Sequence, residues 1–115
     1  MLKVYGIKNC DTVRKALKWL KENEITHEFQ DFRADPVSAE QVANWEAAIG
    51  REKLINKRGT TYRKLEQAEK EALEADAPYQ MLADNPTLMK RPVFEGPNRT
   101  LVGFTEKEKE ILLGL

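Results

Sequence analysis

The sequence predicts an α/β fold in which a β-α-β unit, a helical insertion and a β-β-α unit contribute to one mixed four-stranded sheet. Three observations lead there. An alternating apolar run at the start gives way to an amphipathic segment and a second β-like run; the middle of the chain is rich in helix formers; and two short β-like runs flank a Gly-Pro-Asn turn before a last capped segment.

Leu2-Lys3-Val4-Tyr5-Gly6-Ile7 alternates as a strand and breaks at Lys8-Asn9-Cys10-Asp11-Thr12, where Asp11 or Thr12 is suited to cap a helix. Val13, Ala16, Leu17 and Leu20 then recur at i, i+3, i+4 and i+7, with Arg14, Lys15, Lys18 and Lys21 on other faces, so the helix runs to about Asn23. Ile25 to Phe32 supplies the second strand. A strand, helix and strand this close together imply a right-handed parallel crossover. Asp35-Pro36 ends the pattern, and Ser38 with Gln41 has the spacing of a capping box before a helix striped by Val42, Trp45 and Ile49, with Gly50 as an αL stop. Leu54 to Leu65 is irregular, Glu66 to Ala75 is helical in composition, and Pro78 opens a short helix through Met81 and Leu82. Residues from about 36 to 88 thus read as the insertion. Pro92 to Glu95 and Arg99 to Val102 form a hairpin about Gly96-Pro97-Asn98, and Thr105 with Glu108 caps the final helix, whose Ile111 and Leu112 pack on the sheet.

A chain of 115 residues fits one domain, 1–115, with a single core. Its 19 basic and 19 acidic residues cancel, so bulk charge favours neither nucleic acid nor an anionic membrane as a partner. No apolar run approaches the roughly 20 residues of a membrane span, and the first residues lack the apolar stretch of a signal peptide. The one cysteine in the sequence cannot make an internal disulfide, which favours a reducing, cytoplasmic setting.

That cysteine, Cys10, stands where a strand turns into a helix. The unpaired N–H groups and positive dipole end of the helix face its sulfur and lower its pKa, favouring the nucleophilic thiolate. Lys8 and Arg14 add positive charge nearby. The competing reading is a small apolar residue packed at a strand end. Val13 occupies the third position on, so any chemistry is monothiol, and an external thiol such as glutathione completes the cycle. One cysteine and the distant His27 are no metal ligand set. Arg91-Pro92 opens a later strand, where proline cannot donate to the sheet and either cis or trans geometry is open. In a thioredoxin-like arrangement that strand lies beside the Cys10 turn and brings Arg91 near the sulfur. Arg58, followed by Gly59-Thr60-Thr61, is a second candidate anion site, set against the reading of a solvated loop arginine.

The segments Gly6 to Ala16, around Lys8-Asn9-Cys10-Asp11-Thr12, Asn56 to Leu65, and Lys90-Arg91-Pro92-Val93 together resemble the arsenate reductase-like family, and most of all its YffB branch. The resemblance implies a thioredoxin-like fold with a helical insertion, Cys10 as nucleophile, and a binding set of Arg91, Pro92, Arg58, Lys8, Asn9 and Thr12. It implies a glutathione-dependent thiol reductase whose partner is glutathione or another small thiol, with an anionic substrate. Of the three arginines that steady arsenate in the family's reductases, Arg91 matches one; the others fall at Asn56 and near Gly103-Phe104, where no arginine stands. An oxyanion there would lose charge-assisted hydrogen bonds of about 1.5 to 3 kcal/mol each. The related Spx regulators, which bind RNA polymerase and sense oxidation through a Cys-x-x-Cys pair, offer a non-enzymatic alternative, although Val13 removes that switch.

Overall fold

Alternation at the start of the chain produces β1 (Leu2–Gly6), which leads through α1 (Asp11–Glu22) to β2 (His27–Asp31). Helices α2 (Ala39–Ile49), α3 (Arg51–Leu54), α4 (Thr60–Arg63), α5 (Gln67–Glu74) and α6 (Tyr79–Asp84) follow, then a 3-10 turn at Pro86–Leu88. The chain closes with β3 (Val93–Glu95), β4 (Thr100–Val102) and α7 (Glu106–Leu113). This computed structural model describes residues 1–115, which form two compact units: 1–35 with 91–115, and 36–90.

The first unit holds the sheet, in the order β2-β1-β3-β4. β1 is parallel to β2, with Gly6 opposite Asp31, and antiparallel to β3, with Tyr5 opposite Val93; β3 and β4 are antiparallel. This mixed four-stranded sheet is the thioredoxin-like arrangement expected from the sequence. Burial follows the periodicities: Leu2 and Val4 from β1, Ala16 and Leu20 from α1, Phe94 from β3 and Leu112 from α7 form one core cluster. Phe104 joins its edge, with its ring edge-on to Trp19 at 5.6 Å and the Lys109 ammonium 4.9 Å above it.

Some local expectations need correction. The N-cap of α1 is Cys10 itself, and Asp11 and Thr12 already lie inside the helix. The second strand starts at His27 rather than Ile25, because the chain must first reverse through Glu24 at φ 56°, with the Ile25 N–H still bonded to Leu20 O at 2.9 Å. β3 begins at Val93: Pro92 has no N–H to give, and its carbonyl instead accepts the Gly103 N–H at 2.9 Å. The Arg91–Pro92 peptide is cis.

The second unit is helical. Ser38 Oγ accepts the Gln41 N–H at 3.1 Å and starts α2, which packs against α3 and α6. Gly50 ends α2 with positive φ, but its ψ of 150° is extended rather than αL, so the chain turns straight into α3. Arg51 then grips both Glu46 oxygens at 3.0 and 3.2 Å and the Ala75 carbonyl at 2.7 Å, tying α2 and α3 to the end of α5. A bridge between Ile55 and Met89, flanked by Asn56 N–H to Leu88 O and Lys90 N–H to Leu54 O at 2.8 Å each, fixes the α3–α4 connection.

Gly6 is required by close approach. A Cβ there would lie 2.7 and 3.1 Å from the two Val13 methyls, and Val13 is fully buried and β-branched, so it cannot turn aside. Gly6→Ala is therefore expected to destabilise the protein by about 1–3 kcal/mol, read as a lower urea midpoint with an unchanged slope.

Candidate active site

The turn after β1 places the sulfur. The Cys10 N–H donates to Ile7 O at 3.0 Å, closing a tight turn over Lys8 and Asn9, and the Cys10 carbonyl accepts the Arg14 N–H at 2.9 Å as the first bond of α1. Cys10 is thus the last residue of one structure and the cap of the next, with extended backbone at φ −92° and ψ 125°. Its thiol closes no capping bond of ordinary geometry, yet it stands where a capping oxygen would.

Partial burial of Cys10 pushes its pKa up, but this is outweighed. The Val13 N–H, the Arg91 side chain hydrogen-bonded to the sulfur, the Thr12 N–H and the charge of Arg91 together hold the thiol below its ordinary value. The cationic help comes from a residue 81 positions away in the chain (91 minus 10), delivered by the loop into β3. Lys8 enters the site through its main chain: its N–H donates to Asp31 Oδ2 at 3.0 Å and its carbonyl accepts Arg14 Nε at 3.3 Å. Asn9 Oδ1 accepts Arg14 Nη2 at 3.3 Å, and the Thr12 side chain is exposed, so Thr12 serves through its amide. Pro92, next to Arg91 in sequence, is buried at the entry to β3.

Asp31 escaped the sequence reading. At the end of β2, its Oδ1 accepts the Arg33 and Ala34 N–H groups at 2.9 and 3.2 Å, while Oδ2 takes the Lys8 amide. Desolvation raises its pKa, but the three amides from Lys8, Ala34 and Arg33 hold it below the usual carboxylate range. The visible signal was an aspartate closing a strand just before a polar Arg-Ala-Asp-Pro turn. His27 pairs with Leu2 at the far end of the β1–β2 ladder from Gly6, and its Nδ1 lies 2.8 Å from Ile25 O, so it is no base for Cys10.

Arg58 belongs to the second unit. There it lines a cavity of about 560 Å³ with Glu52, Ile55, Lys57 and Lys90. Its charged companions are two lysines and the Glu52 carboxylate rather than the Thr60 and Thr61 hydroxyls anticipated from sequence. Lys57 is already paired with Glu74 at 2.8 Å, which leaves Arg58 and Lys90 as the cations an anion would meet. No three His, Cys, Asp or Glu side chains gather to hold a metal ion, and no helix is long and apolar enough to cross a membrane.

A lone cysteine at the N-cap of the first helix, with an arginine from the approach to β3 on its sulfur, defines a thioredoxin-like protein of the single-cysteine kind. The chain belongs to the ArsC family, whose model matches residues 5–112. It is 45% identical over 108 residues to an uncharacterized protein of Haemophilus influenzae, covering 94% of this chain and 95% of that one. Among solved structures it is similar to a YffB protein, at 37% identity and a TM-score of 0.87 over 98% of this chain and 99% of that one. It is also 28% identical to the global transcriptional regulator Spx 1 of Bacillus cereus, over 94% of this chain and 83% of that protein.

Replacing Arg91 by Gln removes a charge and a charge-assisted donor from the sulfur. The midpoint of the pH–alkylation profile of Cys10 is expected to rise toward that of an ordinary thiol. Arg91→Lys, which keeps the charge but not the fork, should fall between the two.

Proposed function

We propose that the protein is a glutathione-dependent thiol reductase in which Cys10 is the only redox-active group. The observation that carries this reading is the Cys10 thiol itself, drawn below its ordinary pKa by two helix amides and Arg91, with buried Val13 where a resolving cysteine would stand. A thiolate so placed attacks a sulfur of a disulfide. With a glutathione mixed disulfide as substrate, the Cys10 thiolate bonds to the glutathione sulfur, the substrate S–S bond breaks, and the substrate leaves as a thiolate that takes up a proton. A second glutathione, as thiolate, attacks the glutathione sulfur on Cys10, releasing glutathione disulfide and regenerating the Cys10 thiolate. The substrate gains two electrons and the glutathione pool supplies them.

Arg91 and Arg58 are the groups assigned to recognise anionic parts of the partner, Arg91 at the sulfur and Arg58 with Lys90 in its cavity. Lys8, Asn9 and Thr12 are assigned to the partner through their exposed side chains, since the Lys8 main chain is engaged within the turn, and Pro92 opens the strand that presents Arg91. A cytoplasmic setting, where glutathione is kept reduced, suits this cycle.

Arsenate is disfavoured as the substrate on local grounds. Where a third family arginine would fall, Gly103 has φ 91°, a conformation that strains any side-chain-bearing residue, and Phe104 is committed to Trp19. The likeness to Spx 1 supports a second reading, a regulator that binds RNA polymerase without redox sensing.

The test is exposure of the reduced protein to glutathione disulfide followed by mass spectrometry. One glutathione on Cys10, removed by free glutathione and absent in Cys10→Ser, is the expected result. An unmodified thiol, together with capture of RNA polymerase equally by the unmodified protein and Cys10→Ser, favours the regulator.

A further inference from the structure

The turn that carries Cys10 is held from two sides by groups that never touch the sulfur. On one side Asp31, from the neighbouring strand, takes the Lys8 N–H at 3.0 Å. On the other Arg14, one turn into α1, reaches back to the Lys8 carbonyl and the Asn9 side chain, at 3.3 Å each. Both polar main-chain groups of Lys8 are thereby engaged by side chains, in a two-residue turn that sequence alone leaves free to move.

We propose that Asp31 and Arg14 are positioning residues for Cys10, a clamp that fixes the Lys8-Asn9 turn so that the Thr12 and Val13 amides stay aimed at the sulfur. This rests on the thiolate role of Cys10 proposed above. The Asp31 contact goes beyond local needs. An aspartate turn requires only the Oδ1 bonds to Arg33 and Ala34; the Oδ2 bond to an amide 23 residues back ties that turn to the Cys10 loop. The register makes the bond possible, because Asp31 lies directly opposite Gly6 and the Phe32 N–H donates to Gly6 O at 3.0 Å, holding the two strand ends together where the turn begins. Arg14 is 59% exposed in its side chain; leaning toward the helix N-terminus as helical side chains do, it reaches the Lys8 carbonyl and Asn9 Oδ1 in addition to its weak, exposed ion pair with Asp11 at 3.6 Å.

The clamp makes a prediction whose sign separates it from simple electrostatics. A carboxylate disfavours a nearby thiolate, so deleting the Asp31 charge should lower the Cys10 pKa if Asp31 acts through its field alone. If Asp31 acts by position, its loss lets the turn swing, the two amides drift from the sulfur, and the pKa rises. Asp31→Ala and Asp31→Asn are compared with the unmodified protein by alkylation rate against pH, with thermal melts confirming that each variant is folded. Asn keeps one oxygen but turns an amide donor toward either Lys8 or the Arg33 side, so it should fall between Asp and Ala. Arg14→Lys, at an exposed site with little bearing on folding, preserves the charge and forfeits the paired bonds; field effects predict no change and the clamp predicts a rise.

The expected result is an upward movement of the midpoint in all three variants, with the thiolate fraction at about pH 6 falling about threefold in Asp31→Ala. Midpoints that stay depressed, or fall, in folded Asp31→Ala and Arg14→Lys overturn the clamp and leave the thiolate reading intact. An ordinary thiol midpoint in the unmodified protein overturns the thiolate reading, and the clamp with it.

Discussion

The turn from Ile7 to Cys10 is the constraint on which the site depends. β1 must run parallel to β2, so the chain has to leave the top of β1, cross as a helix and return; the crossover leaves only Lys8 and Asn9 between the turn's ends. The residue that closes this turn is necessarily the residue that caps α1. With cysteine there, a thiol is placed where the unpaired amides of α1 converge on a side chain. Gly6 and Val13 serve the same geometry from below: the missing Cβ lets the helix seat its first apolar residue directly against the strand end.

Electrostatics then decides what the thiol can do. Burial alone would make Cys10 an inert packing residue, the competing reading of its sequence. Two amides and a guanidinium outweigh that penalty, and the guanidinium is available because β3 pairs antiparallel with β1 and so begins beside the Cys10 turn. The same sheet order limits the substrate. After β4 the chain returns through Gly103, bonded to Pro92, into the aromatic packing of Phe104, where the Lys109 ammonium is held over the ring and by Glu106. One arginine at the sulfur suits a thiol or a single carboxylate better than a compact oxyanion of higher charge.

Features encoded in short windows were legible in the sequence. The alternation of β1, the stripe of α1, the hairpin about Gly96-Pro97-Asn98 and the caps at Ser38 and Thr105 depend on neighbours within a few residues, and each forms where it was read, with the strands one residue shorter. Cys10 as cap was hidden because Asp11 and Thr12 are better cap formers; tertiary pairing at Gly6 fixes the helix start one residue earlier than propensity would. Asp31 and Lys90 were missed for a common reason. Each acquires its place through a long-range bond, Asp31 to Lys8 and Lys90 to Leu54, that no local pattern reports. Gly50 shows the limit of a residue-type rule, since glycine permits αL but also the extended positive-φ turn that α3 requires here.

The central claim is that the fold draws the thiol of a lone cysteine below its ordinary pKa. Its most direct test is the ultraviolet absorbance of the thiolate, titrated in the unmodified protein against Cys10→Ser as the blank. A midpoint clearly below the free-cysteine value of about 8.5 is the result this account predicts; a midpoint at or above it would contradict the account.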